Sequence, residues 1–274
     1  MTTAQKVIKY LAIAFAIFLI VTIISTITSA IFALSGVLGL KQNIEENLNR
    51  EMITTNFENA NVSILDIEIE FTNLTIKTGA SLKIETDNNN IEFKQENQKL
   101  QIKEKSKRLL SNYSEKDLIL YLPKSIEFER VKIATGAGKI DIETLTTQNL
   151  LFELGAGETN IQELNISNEC EIDGGAGKLS ILNGRINDLD LDIGVGEVNL
   201  TATLTGQNEI NAGIGSLNVH LQGSKECYKI KADKGIGSIK INGEEVSSGE
   251  IIGNGENQIE INGGIGNTKI DFTV

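Results

Sequence analysis

Between Leu118 and the C-terminus, apolar and polar positions alternate in short runs that a Gly-apolar-Gly tripeptide interrupts repeatedly. It stands at Gly136-Ala137-Gly138, Gly155-Ala156-Gly157, Gly175-Ala176-Gly177, Gly194-Val195-Gly196, Gly213-Ile214-Gly215, Gly235-Ile236-Gly237 and Gly264-Ile265-Gly266. The spacing is nearly constant over the first five copies and lengthens over the last two. Two and four positions after the second Gly come the pairs Ile140/Ile142, Thr159/Ile161, Leu179/Ile181, Val198/Leu200, Leu217/Val219, Ile239/Ile241 and Thr268/Ile270. The positions flanking and separating them, from Lys139/Asp141 to Asn267/Lys269, are all polar. A period of two with one apolar face is the pattern of a strand that buries one side. A second such strand precedes the Gly motif, as in Leu150-Phe152-Leu154, Leu189-Leu191-Ile193 and Ile259-Ile261.

About 19 residues thus make two strands and two turns, one coil of a solenoid whose equivalent strands stack in parallel roughly 4.8 Å apart. Glycine suits the corners because a sharp bend favours positive φ and stacked corners leave no room for Cβ atoms. The apolar residue between the two glycines is expected to tuck into the core. The two longer intervals read as loop insertions near Ser224 and around Glu244 to Asn257. Gly79-Ala80-Ser81, three coil lengths before Gly136, reads as an earlier degenerate copy. Residues 60 to 135 keep the alternation in Val62-Ile64, Leu74-Ile76, Leu82-Ile84, Ile91-Phe93 and Leu100-Ile102, and read as irregular first coils. Asp87 to Asn90 is a turn signal, Leu118 to Pro123 is a strand stopped by the only Pro, and the basic run Lys103 to Arg108 reads as a solvated loop.

An uncharged run from Tyr10 to Leu40 precedes all of this. A bilayer core needs roughly 20 apolar residues in a helix, so the run is long enough to span one. A signal peptide cut near Ser29 or Ala30 is the competing reading; its apolar core is typically only about 7 to 15 residues, so length favours an anchor. Lys6 and Lys9 precede the run and mixed charges follow it, which places the N-terminus in the cytoplasm. Ile44, Leu48 and Met52 share one helical face and suggest a short stalk. The expected organisation is a cytoplasmic N-terminus (1–9), a transmembrane anchor (10–40), a stalk (41–59) and an extracytoplasmic β-solenoid (60–274). The class is all-β, a single β-solenoid resembling a parallel β-helix, after one N-terminal transmembrane helix.

Charge narrows the function. The chain carries 25 Lys and Arg against 37 Asp and Glu, a net charge of −12; only Lys6 and Lys9 precede the span, so 23 basic against 37 acidic residues follow it, a net of −14. Such a field repels nucleic acid. His220 is the only His, and it falls on the outward parity near a turn, which reads as an ordinary surface residue. A calcium-binding roll needs Asp two positions after the last Gly, where this chain has Ile140, Thr159, Leu179 and Val198, and a dinucleotide fingerprint needs a helix after its glycines. The outward carboxylates Asp141, Glu158, Glu171 and Glu197 could be paired for acid–base work on a polysaccharide, but a solvated face is the simpler reading. No catalytic, cofactor-binding or metal site is assigned. Cys170 shares the phase of inward Leu150 and Leu189, whereas Cys227 lies in an insertion three reference coils away, so two free thiols are expected, one buried and one exposed.

The run YLPKSIEFERVKIATGAGKIDIETLTTQNLLFELGAGETNI, followed by GGAGKLSI, GVGEVNL, YKIKADKGIGSIKING and a closing GGIG, resembles the bacterial cell-envelope putative-adhesin repeat family, a domain of unknown function. The resemblance covers most of residues 60 to 274 and implies a β-solenoid without catalytic residues. The expected function is a membrane-anchored, extracytoplasmic structural, adhesive or ligand-binding module of the cell envelope, with envelope proteins or a cell-surface polymer as partners. A regulatory partner of an envelope-stress signalling complex and a polysaccharide-acting enzyme are the alternatives.

Overall fold

A computed structural model describes residues 51–57, 61–105 and 115–273. The expected cytoplasmic segment and anchor, and all of the stalk before Glu51, lie outside these residues. Among the described residues no helix is long and apolar enough to cross a membrane. The strands are β1 (Ile53–Asn56), β2 (Ile64–Ile69), β3 (Thr72–Gly79), β4 (Lys83–Thr86), β5 (Ile91–Glu96), β6 (Lys99–Glu104), β7 (Lys116–Pro123), β8 (Phe128–Ile181), β9 (Gly184–Asn187), β10 (Leu189–Thr205), β11 (Gln207–Gln222), β12 (Tyr228–Ile241), β13 (Glu244–Glu245), β14 (Glu250–Ile252) and β15 (Asn257–Thr273). The long strands, β8 above all, run through the Gly corners without losing their ladder, which makes the domain an all-β solenoid.

The coil length expected from the sequence is the register of the stack. Leu189 pairs with Cys170 and Val198 with Leu179, and Asp190 pairs with Glu209 and Leu200 with Val219, all in parallel and one coil length apart. Inward side chains therefore stack column upon column. Ile142, Ile161, Ile181, Leu200, Val219, Ile270 and Ile241 are all buried on one strand row, and Ile172, Leu191, Ile210, Ile261 and Ala232 on another. The central coils also carry a third stacked segment, contrary to the expected two strands. Leu164 pairs with Gly184 and Ile166 with Ile186, which in turn pairs with Leu204. The signal was an unequal spacing of inward residues: Ile140, Ile142, Leu145, Thr147, Leu150 and Phe152 are all buried, so parity slips twice per coil.

The order of coils in space is not their order in sequence. β15 lies between β11 and β12, with Ile261 flanked by Ile210 and Ala232, and Ile265 flanked by Ile214 and Ile236. The chain thus leaves an empty place after the Gly213 coil, builds the Gly235 coil beyond it, and returns to fill the gap. The longest interval between Gly motifs, read as an insertion, is that return, and it carries β13 and β14, which pair antiparallel with β12.

The other end repeats the arrangement. β2 lies between β6 and β8, with Ile67 flanked by Ile102 and Ile133, and β3 lies between β7 and β8, with Ile76 flanked by Leu120 and Ile142. β5 and β4 then close the outer edge antiparallel to β6 and β7, and β1, inside the span read as stalk, pairs with β4. At both ends the chain-terminal coil has a neighbour on either side, and short antiparallel strands line the outer edge, where a bare parallel edge would invite pairing with another chain.

Two smaller expectations change here. Leu74 pairs with Ile140, so in the same register the counterpart of Gly136-Ala137-Gly138 is Glu70-Phe71-Thr72 and not Gly79-Ala80-Ser81. Without glycines that corner is closed by a side chain: Glu104 Oε2 accepts hydrogen bonds from the backbone N–H groups of Glu70 (2.7 Å) and Phe71 (3.1 Å). Lys103, read as loop, belongs to β6 and pairs with Glu68 at 2.9 Å. The turn at Asp87 to Asn90 is as expected but partly internal, with buried Asn88 donating to Thr72 Oγ1 (2.7 Å) and Glu104 Oε1 (2.9 Å).

The second glycine of every motif has φ between +141° and +156°, and a Cβ on Gly177 would overlap the carbonyl oxygen of Gly157. Gly177→Ala should therefore cost about 3 kcal/mol or more, combining backbone strain with an overlap no rotamer relieves. Its neighbour Lys178→Ser should stay within about 0.5 kcal/mol. Urea unfolding of the two variants measures the contrast, and equal losses would contradict the corner assignment.

Coil order yields a second prediction. Removing residues 155–174 joins Leu154 to Gly175 in phase and should leave a shorter folded domain with a proportionally smaller urea m-value. Removing residues 257–273 is a smaller deletion, yet it empties the place between β11 and β12 and should abolish the cooperative transition at that end, seen as loss of protection in amide hydrogen exchange from Gln207 to Ile252.

Candidate functional surface

The corner also determines what the solenoid shows at its surface. In strand parity Ala176 belongs to the inward set with Ile172 and Gly174, which is why a core position was expected. The bend at the glycines turns this residue outward instead. Ala156 and Ala176 are exposed, Ala137, Ile214 and Ile265 are half-buried, and Val195 and Ile236 are 50% and 62% exposed. With Phe71, 43% exposed at the equivalent corner, they form an apolar ridge in the spatial order Phe71, Ala137, Ala156, Ala176, Val195, Ile214, Ile265, Ile236.

Beside the ridge runs a shallow groove of about 800 Å³. Its floor is the column one residue before each corner, where half-buried Leu154, Ile193 and Ala212 alternate with Gly174 and Gly263. The glycines are what open it: a Cβ on Gly174 would run into the side chain of Ile193. Its wall is the next column, Glu153, Asp173, Asp192, Asn211 and Asn262.

That wall edges a carboxylate face on the first strand row. Glu171 pairs with Asp190 and Asp190 with Glu209, while Asp173 pairs with Asp192. Like charges fall directly opposite one another in neighbouring coils, an unfavourable arrangement. Desolvation, and then the charges of Asp173, Asp190, Glu169 and Glu153, hold the Glu171 carboxyl above its ordinary range. Asp190 is raised in the same way, by desolvation first and then by Asp192, Glu209, Asp173 and Glu169. Toward the ends the face is neutralised, by Lys132 on Glu153 (2.8 Å) and by Lys231 on Glu260 (2.7 Å).

The carboxylates singled out in the sequence do not converge. Glu171 lies on the first strand row, whereas Asp141, Glu158 and Glu197 lie on the second, where polar partners space them. Asn160 Nδ2 donates to Asp141 (3.2 Å) and to Glu158 (3.3 Å). Asn199 donates to Glu197 at 2.5 Å and, with the Lys178 charge, holds that carboxyl below its ordinary range. His220 sits on the same outer face, 3.7 Å from Asp271. Among the described residues no three His, Cys, Asp or Glu side chains are grouped to hold a metal ion.

Cys170 is buried and Cys227 exposed, and both are free thiols. Burial pushes the Cys170 thiol far up. Because β15 intervenes, the two reference coils are four steps apart and not three, roughly 19 Å at the solenoid spacing.

This fold has known relatives. A family model described as Toastrack DUF4097 matches residues 51–251. The chain belongs to the Toastrack DUF4097 family. Among solved structures this Toastrack chain is similar to a "putative cell adhesion protein" from Clostridium sporogenes ATCC 15579, at 18% identity over 81% of this chain and 99% of that one, with a TM-score of 0.36. It is also similar to a "putative adhesin" from Bacteroides fragilis NCTC 9343, at 15% identity over 81% and 98% of the two chains, with a TM-score of 0.39. A third, also a "putative adhesin", is from Parabacteroides distasonis ATCC 8503, at 14% identity over 81% and 97%, with a TM-score of 0.42. No curated protein matches. The matched stretch of the Toastrack chain takes in every ridge residue except Ile265, the groove floor from Leu154 to Ala212 and the carboxylates from Glu153 to Glu209, and ends before β15.

The raised carboxyl groups make this face pH-sensitive. For Glu171 and Asp190, ionisation is harder in the folded state, so their contribution to stability is full below the unfolded carboxylate value of about 4 and is lost as pH rises through the raised folded value. Glu171→Gln combined with Asp190→Asn should raise the melting temperature at pH 7. The gain should shrink as pH falls toward 4 and as salt screens the face. A lowered melting temperature at pH 7 would mean that these carboxylates are structural.

Proposed function

We propose that the protein is a membrane-anchored module of the bacterial cell envelope, with the Toastrack solenoid outside the cytoplasm and its corner surface engaging an envelope partner. The observation that carries the reading is the ridge of apolar side chains with its groove, on a domain whose outward strand positions are mostly polar. A continuous line of apolar residues at the surface, with Phe71, Val195 and Ile236 well exposed along it, marks an interaction surface more than it serves a monomer. The uncharged run Tyr10 to Leu40 supports membrane attachment, and the net acidic domain suits an aqueous compartment away from anionic lipid.

The rigid stack has a role in this reading. Each coil is held by its neighbours, so a partner contacts side chains fixed at one repeat distance and loses little entropy in ordering them. Structural support and adhesion use the same property.

Two measurements test it. The full-length protein should fractionate with membranes, and protease added to wall-stripped cells should cut it after Lys41; a mature N-terminus near Ile31 would contradict the anchor. A photo-cross-linking residue at position 195 of the full-length protein in its own membrane should capture a partner, whereas the same residue at position 160, on the second strand row, should not. Capture at neither position would overturn the role of the corner.

A further inference from the structure

The groove beside the corner differs from the rest of the surface in combining an apolar floor with a wall of one charge sign. Leu154, Ile193 and Ala212 form the floor, and Asp173 and Asp192 stand on the wall. Among the described residues, no Lys or Arg side chain forms an ion pair with Asp173 or Asp192, although Glu153 at one end has Lys132. The first corner glycines Gly175, Gly194 and Gly213 also line the groove, and the ridge residue Val195, next in the chain after Gly194, is half exposed. We infer that this groove is the docking site of a partner polypeptide segment that presents an apolar stripe bordered by Lys or Arg, laid along the solenoid axis as an amphipathic helix.

Charge selects the basic partner. A second copy of this chain would bring another acidic wall against the first, since a two-fold contact uses the same patch on both molecules and the chain is net −12. An anionic lipid surface is repelled on the same ground. Geometry selects the helix. The groove repeats at the coil spacing of roughly 4.8 Å, and a helix presents equivalent side chains each turn of about 5.4 Å, whereas one face of an extended strand repeats only every 6.7 Å or so. Over four coils the helical mismatch accumulates to about half a turn, which flexible Lys and Arg side chains absorb. The held-up carboxyl groups of Glu171 and Asp190, one column away, are a standing repulsion that a bound cationic edge relieves. Docking an apolar helical face into a groove is a common recognition mode.

The inference rests on the reading of the corner as a binding surface, and its test separates the two. Full-length protein in zwitterionic nanodiscs, with empty nanodiscs subtracted, is titrated with a fluorescent Leu/Lys peptide of about 18 residues whose Leu follow helical i, i+3, i+4 spacing. A Leu/Glu counterpart and a Leu/Lys peptide of scrambled order serve as controls. The patterned Leu/Lys peptide should bind at least about tenfold more tightly than either control, more weakly at high salt. Asp173→Asn with Asp192→Asn should remove most of that preference while leaving the melting transition in place, and Ile193→Asp should weaken binding by filling the floor with charge. Equal binding of the scrambled peptide, equal binding of the Leu/Glu peptide, or no effect of the double variant would overturn the inference. So would position 195 cross-linking two copies of this chain. If selectivity fails while position 195 still captures another protein in the membrane, only the partner's chemistry is wrong; if capture also fails, the corner is not a binding surface.

Discussion

A carbonyl oxygen of one coil lies where the Cβ of the next corner glycine would be, and the rest of the solenoid depends on that contact. Gly157 stands on Gly138, Gly177 on Gly157, Gly196 on Gly177, Gly215 on Gly196, Gly266 on Gly215 and Gly237 on Gly266. With no side chain to hold them apart, the corners close to backbone distance and the strands on both sides fall into parallel register at the usual ladder spacing. The inward columns then follow from alternation alone. Most column positions are Leu, Ile or Val, at about 0.8 kcal/mol per buried methylene and repeated from coil to coil, so no single side chain dominates the core. The glycines differ, since each of them controls the contact between two whole coils.

The same contact explains what could be read in advance. Coil length, strand phase and the buried face were legible because a corner recurring at fixed intervals imposes them, and Cys170 could be placed opposite Leu189 on that basis. Coil order was not legible. Every Gly corner can stack on any other, so the pattern cannot say that Ile265 belongs between Ile214 and Ile236 rather than beyond them. Sequence adjacency is the usual guide to neighbours, and at both ends it fails. Glu70-Phe71-Thr72 was missed for a related reason: its corner is sealed by the Glu104 carboxylate instead of by glycine, so it left no tripeptide to find. The ridge was misassigned because parity holds only while a strand is straight, and the residue between two glycines sits where it is not.

Ends matter in such an architecture because each coil is stabilised by its neighbours. A terminal coil has one neighbour and frays most easily. Seating the last coil between two others gives its strands a ladder on both sides, and the coil left outermost is tied at both of its own ends by continuous chain. Tyr228 and Phe272 show the consequence in side chains: their rings approach to 5.9 Å across the exchanged coils, and the Tyr228 hydroxyl donates to the Gln222 carbonyl at 2.7 Å.

Stacking identical coils turns every outward position into a column, so one residue type repeated makes an extended surface of one character. On the second strand row the chain breaks this up. Lys139, Glu158, Lys178 and Glu197 alternate in sign from coil to coil, and the adjoining column interposes Asn160 and Asn199, with Asn218 donating to Asn199 at 2.9 Å. On the first row, where Glu171 faces Asp190 and Asp173 faces Asp192, no such alternation occurs until Asn211 and Asn262. Repulsion between neighbouring carboxylates is a cost that folding alone would remove by placing an Asn or Lys between them, as it has on the second row. That the cost falls beside the groove, and not at a random place on the solenoid, is the physical reason to test that place for binding.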